Sequence, residues 1–203
     1  MAESNAGIEF DRQLDNLAAL GYPSIRDAER LRQAAIEYNP AGIPDVLPFV
    51  LVATQQILPA AESIGKVTLA GKSKPGRIDR NYADGELATF APREDLDVPS
   101  SPAYLIFDVE RGEEFRNVRP EEATATIFAR NRTPLTVDEG IAVVTAHPAI
   151  LEKNKCFMLA GSRNIGRKVP ALWISEGAPK LGWCWNGNPH TWLGTASCSS
   201  RCR

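Results

Sequence analysis

The hydrophobic pattern of the chain changes near residue 44, and that change constrains the fold more than any other feature. Before it, "IEFDRQLDNLAALG" repeats apolar residues at helical spacing. Ile8, Leu14, Leu17 and Leu20 fall on one face, with charges opposite. Gly21 and Pro23 stop the run. "SIRDAERLRQAAIEYNP" repeats the pattern. Ser24 is placed to cap it, Asp27 suits a first turn, and Asn39-Pro40 ends it. Two helices joined by a short turn are therefore expected over residues 8–39.

Beyond that point the apolar residues come in short continuous runs. "PFVLVAT" (Pro48 to Thr54), "KVTLA" (Lys66 to Ala70) and "AYLIFDV" (Ala103 to Val109) read as strands, as do "CFMLAGS", "VPALWIS" and "LGWCW". "GKSKPGRIDRNYADG" and "APREDLDVPSSP" are polar, rich in breakers and read as loops. Two segments return to helical chemistry. "RPEEATATIFARN" has Pro120 near its start, Glu121 and Glu122 in its first turn and Arg130 at its end. "TVDEGIAVVTAHP" offers a capping box from Thr136 and Glu139 and is stopped by Pro148. The expected fold is α+β: an N-terminal helical pair packed with a mixed or antiparallel sheet and two further central helices. A single domain is expected over residues 1–203, with a helical part at 8–39 and an α+β body at 44–200. A linker near Asn39 to Pro44 joins the two parts.

Composition narrows the function classes. Of 203 residues, 43% are hydrophobic and 24% charged, as in an ordinary globular protein. A formal net charge of -2, with no nucleic-acid-binding motif, argues against a nucleic-acid partner. "MAESNAGIEFDRQLDNL" lacks the basic segment and apolar run of a signal peptide. No apolar stretch approaches the roughly 18 residues of a membrane span. The longest, "IPDVLPFVLVATQQIL", carries Asp45 and is broken by Pro48. These features predict a cytoplasmic protein with no membrane partner, whose cysteines are thiols or metal ligands rather than disulfides.

The tail "LGWCWNGNPHTWLGTASCSSRCR" concentrates the reactive residue types, holding three of the four cysteines, three of the four tryptophans and one of the two histidines. If "LGWCW" is a strand, Trp183 and Trp185 share a face and Cys184 takes the other. Trp173 on a neighbouring strand would join the tryptophans. A zinc site would use Cys184, His190 and Cys198, with Cys202 as a weaker fourth ligand. The spacings are C-x5-H, H-x7-C and C-x3-C, and only the last is a tight chelating pair of the usual kind. A catalytic site would use Cys184 or Cys198 as nucleophile and His190 as base, and needs a thiol of low pKa. The plainer alternative, a Trp-rich core wall with buried thiols, leads these two. A ligand pocket at its polar edge would draw on Arg163, Cys184, Asn186, Asn188, His190 and Trp192. Aromatic walls with a few polar groups are the usual make-up of such sites. His190 would be the acid or base of any chemistry, because its pKa lies nearest neutrality.

Other motifs carry less. "GKSKPGRI" and "GSRNIGRK" both show G-x4-G-R, but a P-loop requires Lys followed by Ser or Thr at the start of a helix. They read as hairpin turns, with Arg163, Arg167 and Lys168 able to hold an anion. Asp108, Glu110, Glu113 and Glu114 form an acidic group without EF-hand spacing and read as a solvated loop. Asp138 and Glu139 suit a helix start, and His147 a helix C-terminus. No G-x-S-x-G motif is present.

The run "RPEEATATIFARNRTPLTVDEGIAVVTAHPAIL", followed by "CFMLAGSR", "VPALWIS", "PKLGWCW" and "GNPHTWLGTASC", resembles an actinobacterial domain-of-unknown-function family. "FDRQLDNLAALGYP" near the start belongs to the same resemblance, which is most specific from Arg119 to Cys198. It implies a bacterial cytoplasmic protein whose tail is part of the domain, and it carries over no activity, cofactor or site residue. Two functions follow as expectations. The first is binding of a small molecule or anion at the C-terminal pocket. The second is a structural or protein-interaction module in which the tryptophans are core or interface anchors. Zinc is compatible with either, neither specifies an oligomeric state, and the sequence favours the first.

Overall fold

The structure, a computed structural model, describes residues 5–40 and 42–203. Ala41, within the linker read at residues 39–44, lies outside the described residues. The N-terminal pair is α1 (Asn5–Ala19) and α2 (Ala28–Glu37). The buried stripe of α1 is Gly7, Phe10, Gln13 and Leu17, whereas Ile8 is exposed. Helical spacing is kept, but the helix is turned so that Phe10, with more apolar area than Ile8, is fully buried. Ser24 does not cap α2, because the helix starts only at Ala28 with Asp27 at the N-cap position.

The chain continues through β1 (Leu47–Ala53), a short helix α3 (Ala60–Ser63), β2 (Arg77–Ile78), β3 (Ala91–Pro92), β4 (Ala103–Val109), α4 (Pro120–Ala129), β5 (Thr133–Pro134) and α5 (Val137–Ala146). It ends with β6 (Cys156–Met158), β7 (Ser162–Arg163), β8 (Lys168–Ser175), β9 (Ala178–Trp185), β10 (Leu193–Thr195), β11 (Ser197–Cys198) and β12 (Ser200–Cys202). The architecture is α+β, with the expected helical pair and two later helices.

β1, β4 and β12 form an antiparallel sheet with β4 in the middle. Phe49, Leu51, Leu105 and Phe107 pack with α1 and α2, while Val50, Val52, Tyr104 and Ile106 face the main core. Both faces are covered, which is why these two segments read as unbroken apolar runs rather than as alternation. A second, mixed sheet has the order β10-β6-β8-β9-β2. Its β10–β6 and β2–β9 pairs are parallel, and the β6–β8 and β8–β9 pairs antiparallel. β8 and β9 form a hairpin closed at Glu176-Gly177, both at positive φ, as a two-residue hairpin turn requires.

Helix α5 touches both β1 and β8 and has nine of its ten residues buried. A helix that is apolar all round belongs inside a core. Its capping box is formed as expected: Thr136 accepts from the Glu139 backbone and Glu139 from the Thr136 backbone. Gly140 lets Leu159 lie against the helix, since a Cβ there would run into the Leu159 side chain.

Lys66–Ala70 is not a strand. Val67 and Leu69 bury their side chains, but the backbone closes turns instead, with Gly76 N–H donating to the Val67 carbonyl and Lys72 N–H to that of Leu69. The outer edge of β9, where a strand could add, is taken by β2. No described helix is long and apolar enough to cross a membrane.

Candidate binding cavity at the start of helix α5

A cavity of about 370 Å³ lies where α5 begins. Its inner wall is Tyr104 from β4, Thr136, Val137 and Asp138 at the head of α5, and Ser162 from β7. Its outer wall comes from the connection between β1 and β4: Pro59, Ala60 and Ala61 around α3, then Leu87, Ala88 and Phe90, then Leu96, Val98 and Pro99. The volume falls within the range of roughly 300–1,000 Å³ typical of small-molecule sites, and so does the mix of apolar walls with a few polar groups.

Asp138 is the charged residue of this lining. Its Oδ2 accepts the Gln55 backbone N–H at 3.0 Å. Burial pushes the carboxyl up to about 6; the Gln55 N–H opposes the rise and neighbouring Glu139 adds to it. The remaining first-turn groups of α5 are engaged locally. Val137 N–H donates to Ser162 Oγ at 2.9 Å, Glu139 N–H to Thr136 Oγ1 at 3.3 Å, and Gly140 N–H to the Thr136 carbonyl at 2.9 Å.

Behind the inner wall sits a closed polar network. Glu139, fully buried, accepts from Tyr104 Oη at 2.9 Å and from the Thr136 N–H at 2.7 Å, and pairs with Arg201. Arg201 also donates to Thr133 Oγ1 at 2.6 Å. Every partner is satisfied, so the network holds β4, α5 and β12 together and offers no free charge to the cavity.

The residues read from the tail are placed elsewhere. Arg163 Nη2 donates to Asn186 Oδ1 at 2.9 Å, and Asn186 Nδ2 donates to Glu121 at 3.1 Å. Burial, with Arg93 nearby, pulls the Arg163 guanidinium down to about 10. Asn188 closes the turn after β9 through its N–H to the Trp185 carbonyl. His190 meets Trp192 edge-on at 5.8 Å, and Trp192 meets Trp173 in the same way. No hydrogen bond, ion pair or ring contact joins the Arg163–Asn186 pair to the His190–Trp192 pair among the described residues. Trp183 and Trp185 pack together as expected, at 4.9 Å. Trp173 does not join them: it pairs with Lys180 across the ladder and lies over Gly182, on the Cys184 face.

The thiols are packed rather than poised. Cys184 Sγ lies 3.3 Å from Met158 Sδ, and burial pushes its pKa up to about 12. Cys198 is fully buried beside Thr133 and is pushed up to about 11. A nucleophilic cysteine needs the opposite shift. Cys184, His190 and Cys198 do not converge, and no group of three His, Cys, Asp or Glu among the described residues is arranged to hold a metal ion. The acidic group is likewise dispersed: Glu110 pairs with Arg132, Glu113 with Arg111, and Glu114 with Arg130, while Asp108 accepts from Tyr38. His147 takes the C-cap position of α5, its N–H donating to the Val143 carbonyl, and burial lowers its pKa, against the charged role expected there. Neither glycine loop precedes a helix: the first leads into β2 and the second into β8.

Residues 13–203 match a family of unknown function, DUF5701. The chain belongs to that family. No curated protein and no solved structure matches it. In this DUF5701 member, Asp138 and Tyr104 line a cavity that sequence reasoning missed, because a carboxylate in a helix's first turn is ordinary capping chemistry and a tyrosine in an apolar strand is ordinary core. One signal was available. The segment between the strands read at 66–70 and 103–109 is far longer than a usual connection, and long connections are commonly functional. Isolated Leu87, Phe90, Leu96 and Val98 within polar surroundings mark where it folds back on the core.

Proposed function

We propose that this protein binds a small molecule in the cavity at the start of α5. The observation that carries the reading is Asp138: one carboxylate of raised pKa in an otherwise uncharged, largely apolar cavity of ligand size. Perturbed acids in clefts gather at functional sites. A rigid wall from α5 and β4 faces a wall of loops, which is how binding sites are commonly built. Benzyl alcohol tests the reading. In amide NMR spectra, it is expected to shift Phe90, Tyr104, Val137 and Asp138 saturably. Ala61→Trp, at an exposed alanine on the cavity rim, should abolish those shifts while leaving the rest of the spectrum intact. Shifts scattered over the surface, or unaffected by Ala61→Trp, count against it.

A second reading, an interaction module, is supported by Ile165, fully exposed at the tip of the loop before β8, and Trp185, about half exposed beside it. It predicts a defined oligomer or complex that Ile165→Ser with Trp185→Ser dissolves, measured by light scattering.

A further inference from the structure

We propose that the α5 cavity takes a small molecule with an apolar body and a protonated amine, and that Asp138 is its counter-ion. This deepens the ligand-binding reading above and rests on it. The lining contains Asp138 and no Lys, Arg or His. Two arginines lie behind the wall and both are engaged: Arg201 by Glu139 and Arg163, next to Ser162 in β7, by Asn186. An anionic ligand would therefore find no partner and would approach Asp138 against like charge.

Asp138 itself is half-satisfied. Oδ2 takes the Gln55 N–H, while among the described residues no hydrogen bond engages Oδ1 and no basic side chain pairs with the carboxylate. A half-buried carboxylate with no cationic partner carries a desolvation cost, and an ammonium brought by a ligand offsets it. Phe90 and Tyr104 add aromatic rings to the wall, which attract cations, and Leu87 and Leu96 suit an apolar body. A bare divalent ion fits poorly, since calcium is held mainly by several carboxylates and the cavity offers one, its other side-chain oxygens being uncharged hydroxyls and amides.

Three near-isosteric probes test the charge: benzylamine, benzyl alcohol and benzoate, titrated at neutral pH into the whole protein and followed by amide NMR. Benzylammonium should bind at least about ten-fold tighter than benzyl alcohol, which is the worth of one charge-assisted contact. Benzoate should bind weakest. Asp138→Asn should bring benzylamine down to the level of the alcohol. Equal binding of amine and alcohol to the wild type overturns the amine inference and leaves the cavity as a ligand site. Preference for benzoate overturns it in the same way. If none of the three shifts the cavity amides, the inference and the ligand-binding reading both fall. The wild-type comparison decides between these outcomes even if the variant is poorly folded.

Discussion

The Arg201 guanidinium straddles the Glu139 carboxylate, with Nε 2.6 Å from Oε1 and Nη2 3.0 Å from Oε2. Both side chains are buried, and the pair ties the last strand of the chain to the central helix. Removing one member leaves the other's charge buried. Arg201→Ala is therefore expected to cost about 3–5 kcal/mol in urea unfolding, and Arg201→Lys nearly as much, because an ammonium cannot bond both oxygens in parallel. The double variant Arg201→Met with Glu139→Gln should recover part of the loss, because the amide carries no buried charge and keeps an acceptor for the Tyr104 hydroxyl or the Thr136 N–H. A cost below about 1 kcal/mol for Arg201→Ala would show that the pair is dispensable.

Asp138 should trade stability for its position. The folded chain holds its proton more tightly than the unfolded chain does, with a pKa of about 6 against 3.8. Stability is therefore undiminished below about pH 4 and falls as pH rises through the folded pKa. Asp138→Asn keeps an acceptor for the Gln55 N–H and removes the charge. It is expected to stabilise the protein by roughly 1–2 kcal/mol above pH 6, after allowing for the lost attraction to the helix N-terminus. The gain should vanish near pH 4. Thermal unfolding of both proteins across that range checks it, and a variant less stable at every pH would count against the raised pKa.

Thiol chemistry separates the four cysteines. Cys156, Cys184 and Cys198 are buried, and Cys202 is partly exposed. Burial raises the pKa of each of the first three. A thiol reagent at neutral pH should label one cysteine promptly under native conditions and all four after denaturation. Cys202→Ser should remove the prompt phase. Prompt labelling of Cys184 would restore it as a reactive group.

Gly140 sets how closely α5 meets Leu159. Gly140→Ala would gain helix propensity at an open site, yet here its methyl overlaps Leu159. The expected net cost is about 1–3 kcal/mol, typical of overpacking. Leu159→Ala alone should cost about 2–5 kcal/mol through the cavity it leaves. The two together should cost less than their sum, because the new methyl occupies part of the space vacated. Strict additivity in denaturant unfolding would mean that the two do not share that space.

The N-terminal helical pair, the class of fold and the capping box of α5 were legible in the sequence, because they depend on spacing along one segment. Helical repeats placed α1 and α2, breakers bounded the strands, and Thr136 with Glu139 announced the start of α5. The sequence also showed the alternation that sets Cys184 opposite Trp183 and Trp185, since successive strand residues point to opposite faces. What depends on contact between distant segments came only from the tertiary structure. Lys66–Ala70 has strand-like composition but pairs with no strand, and its backbone closes turns while Val67 and Leu69 stay buried. Arg163 and His190 went to different neighbours: Arg163 in β7 reaches Asn186 just after β9, whereas His190, beyond the turn, meets Trp192. Arg201 carries no local signal, and only the pairing of β12 with β4 brings it to Glu139. Asp138 read only as a helix-start residue. The loops between β1 and β4 cover it, and removing water from a carboxylate is a property of what surrounds it, which no local pattern records.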